Sequence, residues 1–296
     1  MESTPSRKRT ALVTVAVMAS LLIAPASRAD VTPGDLISRG NAEKAEGLVS
    51  PGILWAVRNG MDLSVVPYEK ITLPKLYREA TEKYSAQVKL DDHDMLDGYV
   101  SGKPFPTIDP NDPKAGVRIM HNFERGPFFS DDLGVHLPDA DTGGFYVDAK
   151  GNRLYNVERH FTVDWSRRLR MEGRLKHEPV PRFSDADNHE EVFAKFGFYP
   201  LIDPFDLKGV GSISYRYRAP DRMDDTWLYI PTIRRVRRMS SAQRSDALFG
   251  QDIDLDSFGG WAGHIAVMEW KLLGVKEMLG SMHGINLPPK LCTRDG

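Results

Sequence analysis

The sequence predicts an α+β protein, with helices first and an antiparallel β-sheet after them. Up to about residue 126, apolar residues recur at three- and four-residue steps, the period of one buried helix face. After residue 143 they alternate one by one, as on a strand buried on one side. The later strands are separated by short turns, which makes a meander and not a parallel sheet.

The helices come first. Ser50-Pro51-Gly52 opens a short helix carrying Ile53, Leu54, Trp55 and Val57, with Ser50 as cap and Pro51 in the first turn. Thr72 to about Ser85 is a second helix, whose predicted buried face is Leu73, Leu76, Tyr77, Ala80 and Tyr84. The prolines Pro104, Pro106, Pro110 and Pro113 hold 103–113 as an extended loop. Asp112 then caps a third helix that runs to Arg125 and stops at Gly126. Its predicted buried side holds Ile119, Met120 and Phe123, with Val117 at the margin, and Gly116 weakens it.

Lys150-Gly151-Asn152 reads as a turn. Phe161, Val163, Trp165, Leu169 and Met171 alternate with Thr162, Asp164, Ser166, Arg168 and Arg170, giving an oily face and a wet one. Lys195–Pro200 is a further strand, and in the next Ile213, Tyr215 and Tyr217 alternate with Ser212, Ser214, Arg216 and Arg218. A turn over 220–225 leads to Trp227–Ile230, and Ile233–Met239 is the last strand of the series. No repeats, low-complexity tract or linker interrupts the chain, so residues 30–296 are expected to form a single domain.

The N-terminus has the layout of a secretory signal peptide over residues 1–29. Arg7, Lys8 and Arg9 are the basic region, Ala11–Ala24 the uncharged apolar one, and Ser27-Arg28-Ala29 supplies small residues before a cut at Asp30. The competing reading is a membrane anchor, but the apolar run falls short of the ~20 residues that span a bilayer. Export places the mature chain outside the cytoplasm, and no cysteine at the cut marks a lipoprotein. Residues 1–29 carry four basic groups and one acidic group, so their removal takes the net charge from −2 to −5. A mildly acidic chain is a poor nucleic-acid binder. With Cys292 as the lone cysteine there is no internal disulfide and no multi-thiolate metal site.

Motifs for catalysis are absent. Gly280-Ser281-Met282-His283-Gly284 has its serine in the wrong place for a nucleophile elbow. There is no phosphate-binding loop and no dinucleotide fingerprint. No two of the eight histidines stand four residues apart, the spacing of a helical zinc site. Asp252, Asp254 and Asp256 match the first three ligands of a calcium loop, but Ser257 and Gly263 stand where glycine and glutamate are required. A solvated acidic loop is the better reading. No cofactor, metal or catalytic residue is expected, and the chain reads as a non-enzyme.

The aromatic residues carry more information. Phe161, Trp165, Tyr215, Tyr217, Trp227 and Tyr229 all fall on predicted strands. For any one of them ordinary core is the plainer reading. Together they allow a wide oily sheet face, and a strongly curved sheet can enclose an apolar ligand. These six residues are the candidate hydrophobic site. Arg234-Arg235-Val236-Arg237-Arg238 is the densest charge run. Alternation sends Arg235 and Arg237 to one face and Arg234 and Arg238 to the other. The plain reading is a strand whose long side chains lie over apolar surface. The functional one is a contact through Arg235 and Arg237 with anionic head groups or a partner protein.

Trp227-Leu228-Tyr229-Ile230-Pro231, the arginine run, Arg244-Ser245-Asp246, Gly250, Asp252 and a Trp270-Lys271-Leu272 strand resemble a proteobacterial periplasmic family of unknown function. That family is similar to the outer-membrane lipoprotein-sorting (Lol-type) carriers. The segments Tyr77–Tyr84, Gly98-Tyr99-Val100 and Pro104-Phe105-Pro106 resemble it too. The resemblance implies a half-closed antiparallel barrel folded over helices, with an apolar pocket. It implies a carrier or chaperone for a hydrophobic or lipid-like molecule, serving an envelope exporter. The alternatives are an adaptor docking on an exporter or the outer membrane, and less favoured, a hydrolase with a dispersed site. The family pattern continues with further strands after Leu287-Pro288-Pro289-Lys290, whereas this chain ends in Leu291-Cys292-Thr293-Arg294-Asp295-Gly296. The expectation is a domain shortened at its C-terminus, with an exposed sheet edge.

Overall fold

The computed structural model describes residues 31–128, 131–151, 153–240, 244–247, 254–257 and 260–280. The predicted signal segment 1–29, Asp252 and the C-terminal tail lie outside these residues.

The N-terminal third is a small helical layer. Strands β1 (Leu36–Ile37) and β2 (Leu63–Ser64) pair antiparallel and flank a 3₁₀ segment, Arg39–Ala45, and helix α1 (Pro51–Arg58). Ile37, Ala42, Ala45 and Val57 form its core, and Leu279 packs against it from the far end of the described chain. As predicted, the Ser50 hydroxyl caps α1 by accepting from the Ile53 N–H at 3.4 Å, with Pro51 in the first turn.

Helix α2 (Lys75–Tyr84) begins three residues later than predicted, because Pro74 sits at its N-cap in an extended conformation. Tyr77 and Ala80 are its buried residues, while Leu76 is exposed. A small hairpin, β3 (Lys89–Leu90) with β4 (Leu96–Asp97), follows. Helix α3 (Ala115–Glu124) differs from expectation in its buried side. Gly116, Val117 and His121 face inward, and Ile119 and Phe123 are exposed. The reason is the neighbour. The chain at Trp270 runs directly over Gly116, so the closest approach is backbone to backbone and needs the missing Cβ. Asp112 is not the cap that was predicted: the N-cap is Lys114, with no side-chain cap hydrogen bond, and Asp112 accepts from the Lys114 N–H at 2.8 Å just outside the helix. Residues 268–280, where a strand over Trp270–Leu272 was expected, are irregular.

The second half is the antiparallel sheet that the alternation predicts. It holds β5 (Asp132–His136), β6 (Asp139–Val147), β7 (Arg153–Arg170), β8 (Val192–Asp203), β9 (Gly211–Tyr217), β10 (Asp225–Ile230) and β11 (Arg235–Arg238). The order is β11-β10-β9-β8-β7-β5, and β6 pairs with the first half of β7. The chain is therefore α+β with an open antiparallel sheet. Among the described residues β11 and β5 end the sheet without meeting, and no pairing closes it into a barrel. Arg234 belongs to the turn before β11, at φ +51°, and not to the strand.

One prediction about β7 is reversed. Its polar face is not the wet one along its whole length, since Thr162 and Arg170 are buried while Trp165 is 39% exposed. Glu124 and Gly126, at the end of α3, explain this by offering carbonyl oxygens to Arg170.

Candidate functional site

Register decides which side chains share a sheet face. One face gathers successive rows across the strands. In the first row His136 pairs with Trp165 and Trp165 with Tyr199; further along, Gly211 pairs with Tyr229 and Tyr229 with Val236. In the second, Gly134 pairs with Arg167, Arg167 with Gly197, Gly197 with Ile213, Ile213 with Trp227 and Trp227 with Arg238. In the third, Leu169 pairs with Lys195, Lys195 with Tyr215 and Tyr215 with Asp225.

Glycines shape this face into a trough. A Cβ at Gly211 would stand 2.5 Å from Tyr199 Cδ2, so the tyrosine ring lies down over the glycine and reaches Tyr229 edge-on at 6.2 Å. Gly197 presents no side chain between Arg167 and Ile213, and leaves the floor low. The result is an open trough of about 610 Å³ lined by Trp165, Leu169, Tyr199, Ile213, Trp227, Tyr229 and Val236, among others. Its size falls in the ~300–1,000 Å³ range of small-molecule sites. Its apolar side chains face solvent: Tyr199 is 58% and Val236 62% exposed.

Three of the six sequence-named aromatics, Trp165, Trp227 and Tyr229, line this trough. Tyr215 lies beside it, edge-on to Trp227 at 5.2 Å. Tyr217 stands apart. It is buried with Met171 and Val192, and its hydroxyl donates to Asp225 Oδ2 at 2.9 Å. Burial, then that hydrogen bond, push its pKa up to about 12. Phe161 is half-buried opposite Ala140, outside the trough. Tyr199, Ile213 and Val236 were not named from the sequence. The signal that could have found them was the pairing of Lys195–Pro200 with the strands on either side. Arg235 and Arg237 sit on the opposite face of the edge strand β11, exposed and without an ion-pair partner among the described residues.

The opposite face of β7, β8 and β9 is closed by charge. Arg125 Nη1 donates to Glu172 Oε1 at 2.9 Å, and Arg218 Nε donates to Glu172 Oε2 at 2.9 Å. Arg216 pairs with Asp224 at 2.7 Å and with Glu124 at 3.5 Å, while Arg244 bridges Asp224 and Asp256. Burial alone would raise Glu124, but Arg125 and Arg216 hold it below the usual carboxylate range. Burial, together with the cationic neighbours Arg170 and Arg216, lowers Arg168 to about 10. Around these pairs the face is internal structure, although Phe196, which alternates onto it opposite Arg168, is 44% exposed.

A second cleft, of about 630 Å³, lies between the β9–β10 turn and the end of β11. Most of its charges are already paired: Asp225 with Arg238 and Tyr217, Asp224 with Arg216 and Arg244, and Arg222 with Glu190. In the acidic segment expected to be solvated, Asp256 instead pairs with Arg244, and Asp254 accepts from the Ser257 N–H. Among the described residues no group of three His, Cys, Asp or Glu is placed to hold a metal.

No curated protein matches the chain. Two solved structures do. One is a DUF1329 family protein from Desulfovibrio piger, at 16% identity and a TM-score of 0.29, over 47% of this chain and 45% of that one. The other is described as an outer membrane lipoprotein-sorting protein domain, from Vibrio parahaemolyticus, at 15% identity and a TM-score of 0.32, over 52% and 51%. The chain thus spans about half the length of each. A family model described as "Protein of unknown function (DUF1329)" matches residues 36–290, and the chain belongs to that family.

Proposed function

We propose that the protein is a non-enzymatic carrier or chaperone that binds a hydrophobic or lipid-like ligand in the periplasm. One observation carries this reading: the trough lays Trp165, Tyr199, Ile213, Trp227, Tyr229 and Val236 side by side, partly open to water, across strands β7 to β11. A contiguous apolar surface of that kind gains about 25 cal/mol for each Å² that a ligand covers. The signal-peptide layout of residues 1–29 and the Lol-type resemblance support the location and the class of cargo.

The test is native mass spectrometry of the chain purified from a periplasmic extract. A defined apolar mass, retained by the native chain and lost in Trp227→Ala, supports the carrier. A folded chain that arrives empty and takes up no apolar probe in vitro counts against it.

A second reading, an adaptor docking on an envelope exporter or an outer-membrane protein, is favoured by one feature. Arg235 and Arg237 share the outer side of an edge strand, and no carboxylate among the described residues answers them. Pull-down of an envelope partner that survives Arg235→Glu with Arg237→Glu would dismiss it.

A further inference from the structure

The trough is not apolar throughout. Arg167 and Lys195 rise from the same sheet face, at the Leu169 end. Arg167 pairs directly with Gly197, and Lys195 lies two residues before that glycine. The two cations are therefore diagonal neighbours on adjacent strands, about 7–8 Å apart at the backbone and within common reach of their long side chains. Neither side chain makes an ion pair or a hydrogen bond among the described residues. Each instead lies over an aromatic ring of this face, Arg167 at 5.0 Å from the Trp165 centroid and Lys195 at 4.6 Å from that of Tyr215. The nearby carboxylates are already taken, Asp132 by Arg174 and Asp225 by Arg238.

Two cations without counter-charges beside an aromatic trough make an amphiphile's template. We infer that the occupant is a single-chain anionic amphiphile, its carboxylate or phosphate head held between Arg167 and Lys195. Its acyl chain runs over Gly197 toward Trp227, Tyr229 and Val236. This rests on the carrier reading and specifies its cargo. Arginine forms paired hydrogen bonds with a planar anion and lysine adds a point charge, so the pair recognises charge and position together. Gly197 matters because a side chain there would stand in the path from head to tail.

The experiment is displacement of the fluorescent probe N-phenyl-1-naphthylamine from the full chain by dodecanoate, dodecanol and dodecylammonium. Dodecanoate is expected to bind roughly tenfold more tightly than the alcohol, and more tightly still than the cation. Arg167→Gln with Lys195→Gln should erase that preference while the alcohol binds as before. Added salt should weaken dodecanoate and leave dodecanol unchanged. Both side chains reach solvent, so the variant is expected to stay folded, and a thermal melt checks this. If the three amphiphiles bind the native chain equally, or the preference survives in the variant, the head-group site is wrong and the carrier reading stands. If the probe itself does not bind, the carrier reading fails and this inference with it. Concentration-dependent self-association without probe uptake would mean that a second copy covers the trough, and overturns both.

Discussion

Gly116 of α3 lies so close to Trp270 that a Cβ at position 116 would stand 2.5 Å from the Trp270 carbonyl oxygen. The obstruction is backbone, and a backbone cannot rotate away as a side chain can. This contact fastens the irregular C-terminal segment to the helix beneath the sheet.

Gly116→Ala is expected to destabilise the protein by about 1–3 kcal/mol, although alanine is the better helix former. Gly52→Ala in α1 is the control. Nothing lies within 4 Å of its Cβ, so it should stabilise by about 0.4–1 kcal/mol. Urea unfolding of both variants reads the opposite signs.

Glu172 holds Arg125 and Arg218 with its two oxygens, and is nearly buried. Glu172→Gln takes from the interior Arg125 its hydrogen-bonded carboxylate and leaves it only Glu124, at 3.5 Å, as counter-charge, at a cost of about 1.5–3 kcal/mol. The exposed pair Lys75–Glu79, at 3.6 Å, is the comparison, and Glu79→Gln should change stability by less than about 0.5 kcal/mol. Equal effects in chemical denaturation would show that the buried pair is no more than a surface one.

Tyr217 and Trp227 separate stability from binding. Tyr217→Phe removes the buried hydrogen bond to Asp225 and should cost about 1–3 kcal/mol without changing probe uptake. Trp227→Ala should leave the fold intact and weaken uptake of an apolar probe by roughly ten- to a hundredfold. Paired melting and fluorescence titrations distinguish the two.

Acid should act in two stages. Burial holds His121 and His264 below the ordinary imidazole value of 6.5. Below pH 6.5 the unfolded chain therefore takes up protons that the folded chain resists, and stability falls until the folded values are passed. Asp131 acts lower. Burial would raise it, but the N–H groups of His177, Lys176 and Leu175, with Arg174, hold it below its ordinary 3.8. Its contribution is present above that value and is lost as pH falls through the folded one. The urea midpoint should be level above about pH 7 and decline in both intervals. His121→Gln should flatten the first decline and Asp131→Asn the second.

Local features were legible in the residues. Ser50 and Pro51 mark the start of α1, because capping needs only neighbouring atoms. Alternation locates β9 and the later half of β7, because a strand's period is a property of its own backbone. The aromatic strands also placed Trp165, Trp227 and Tyr229 on a candidate surface before any fold was known.

What the sequence determined by itself was therefore the α+β class, the meander and the residues able to build an oily face. Tertiary structure alone decided which of them share it. Tyr199, Ile213 and Val236 joined the trough through inter-strand register, which no single strand encodes, while Tyr217 left it because Met171 and Val192 bury it. Likewise Arg170 and Arg216 alternate as solvent-facing residues, yet are drawn inward by Gly126 and by Glu124, 92 positions from Arg216. A charge is buried or exposed according to whether a partner meets it, and these partners meet only once the chain has folded.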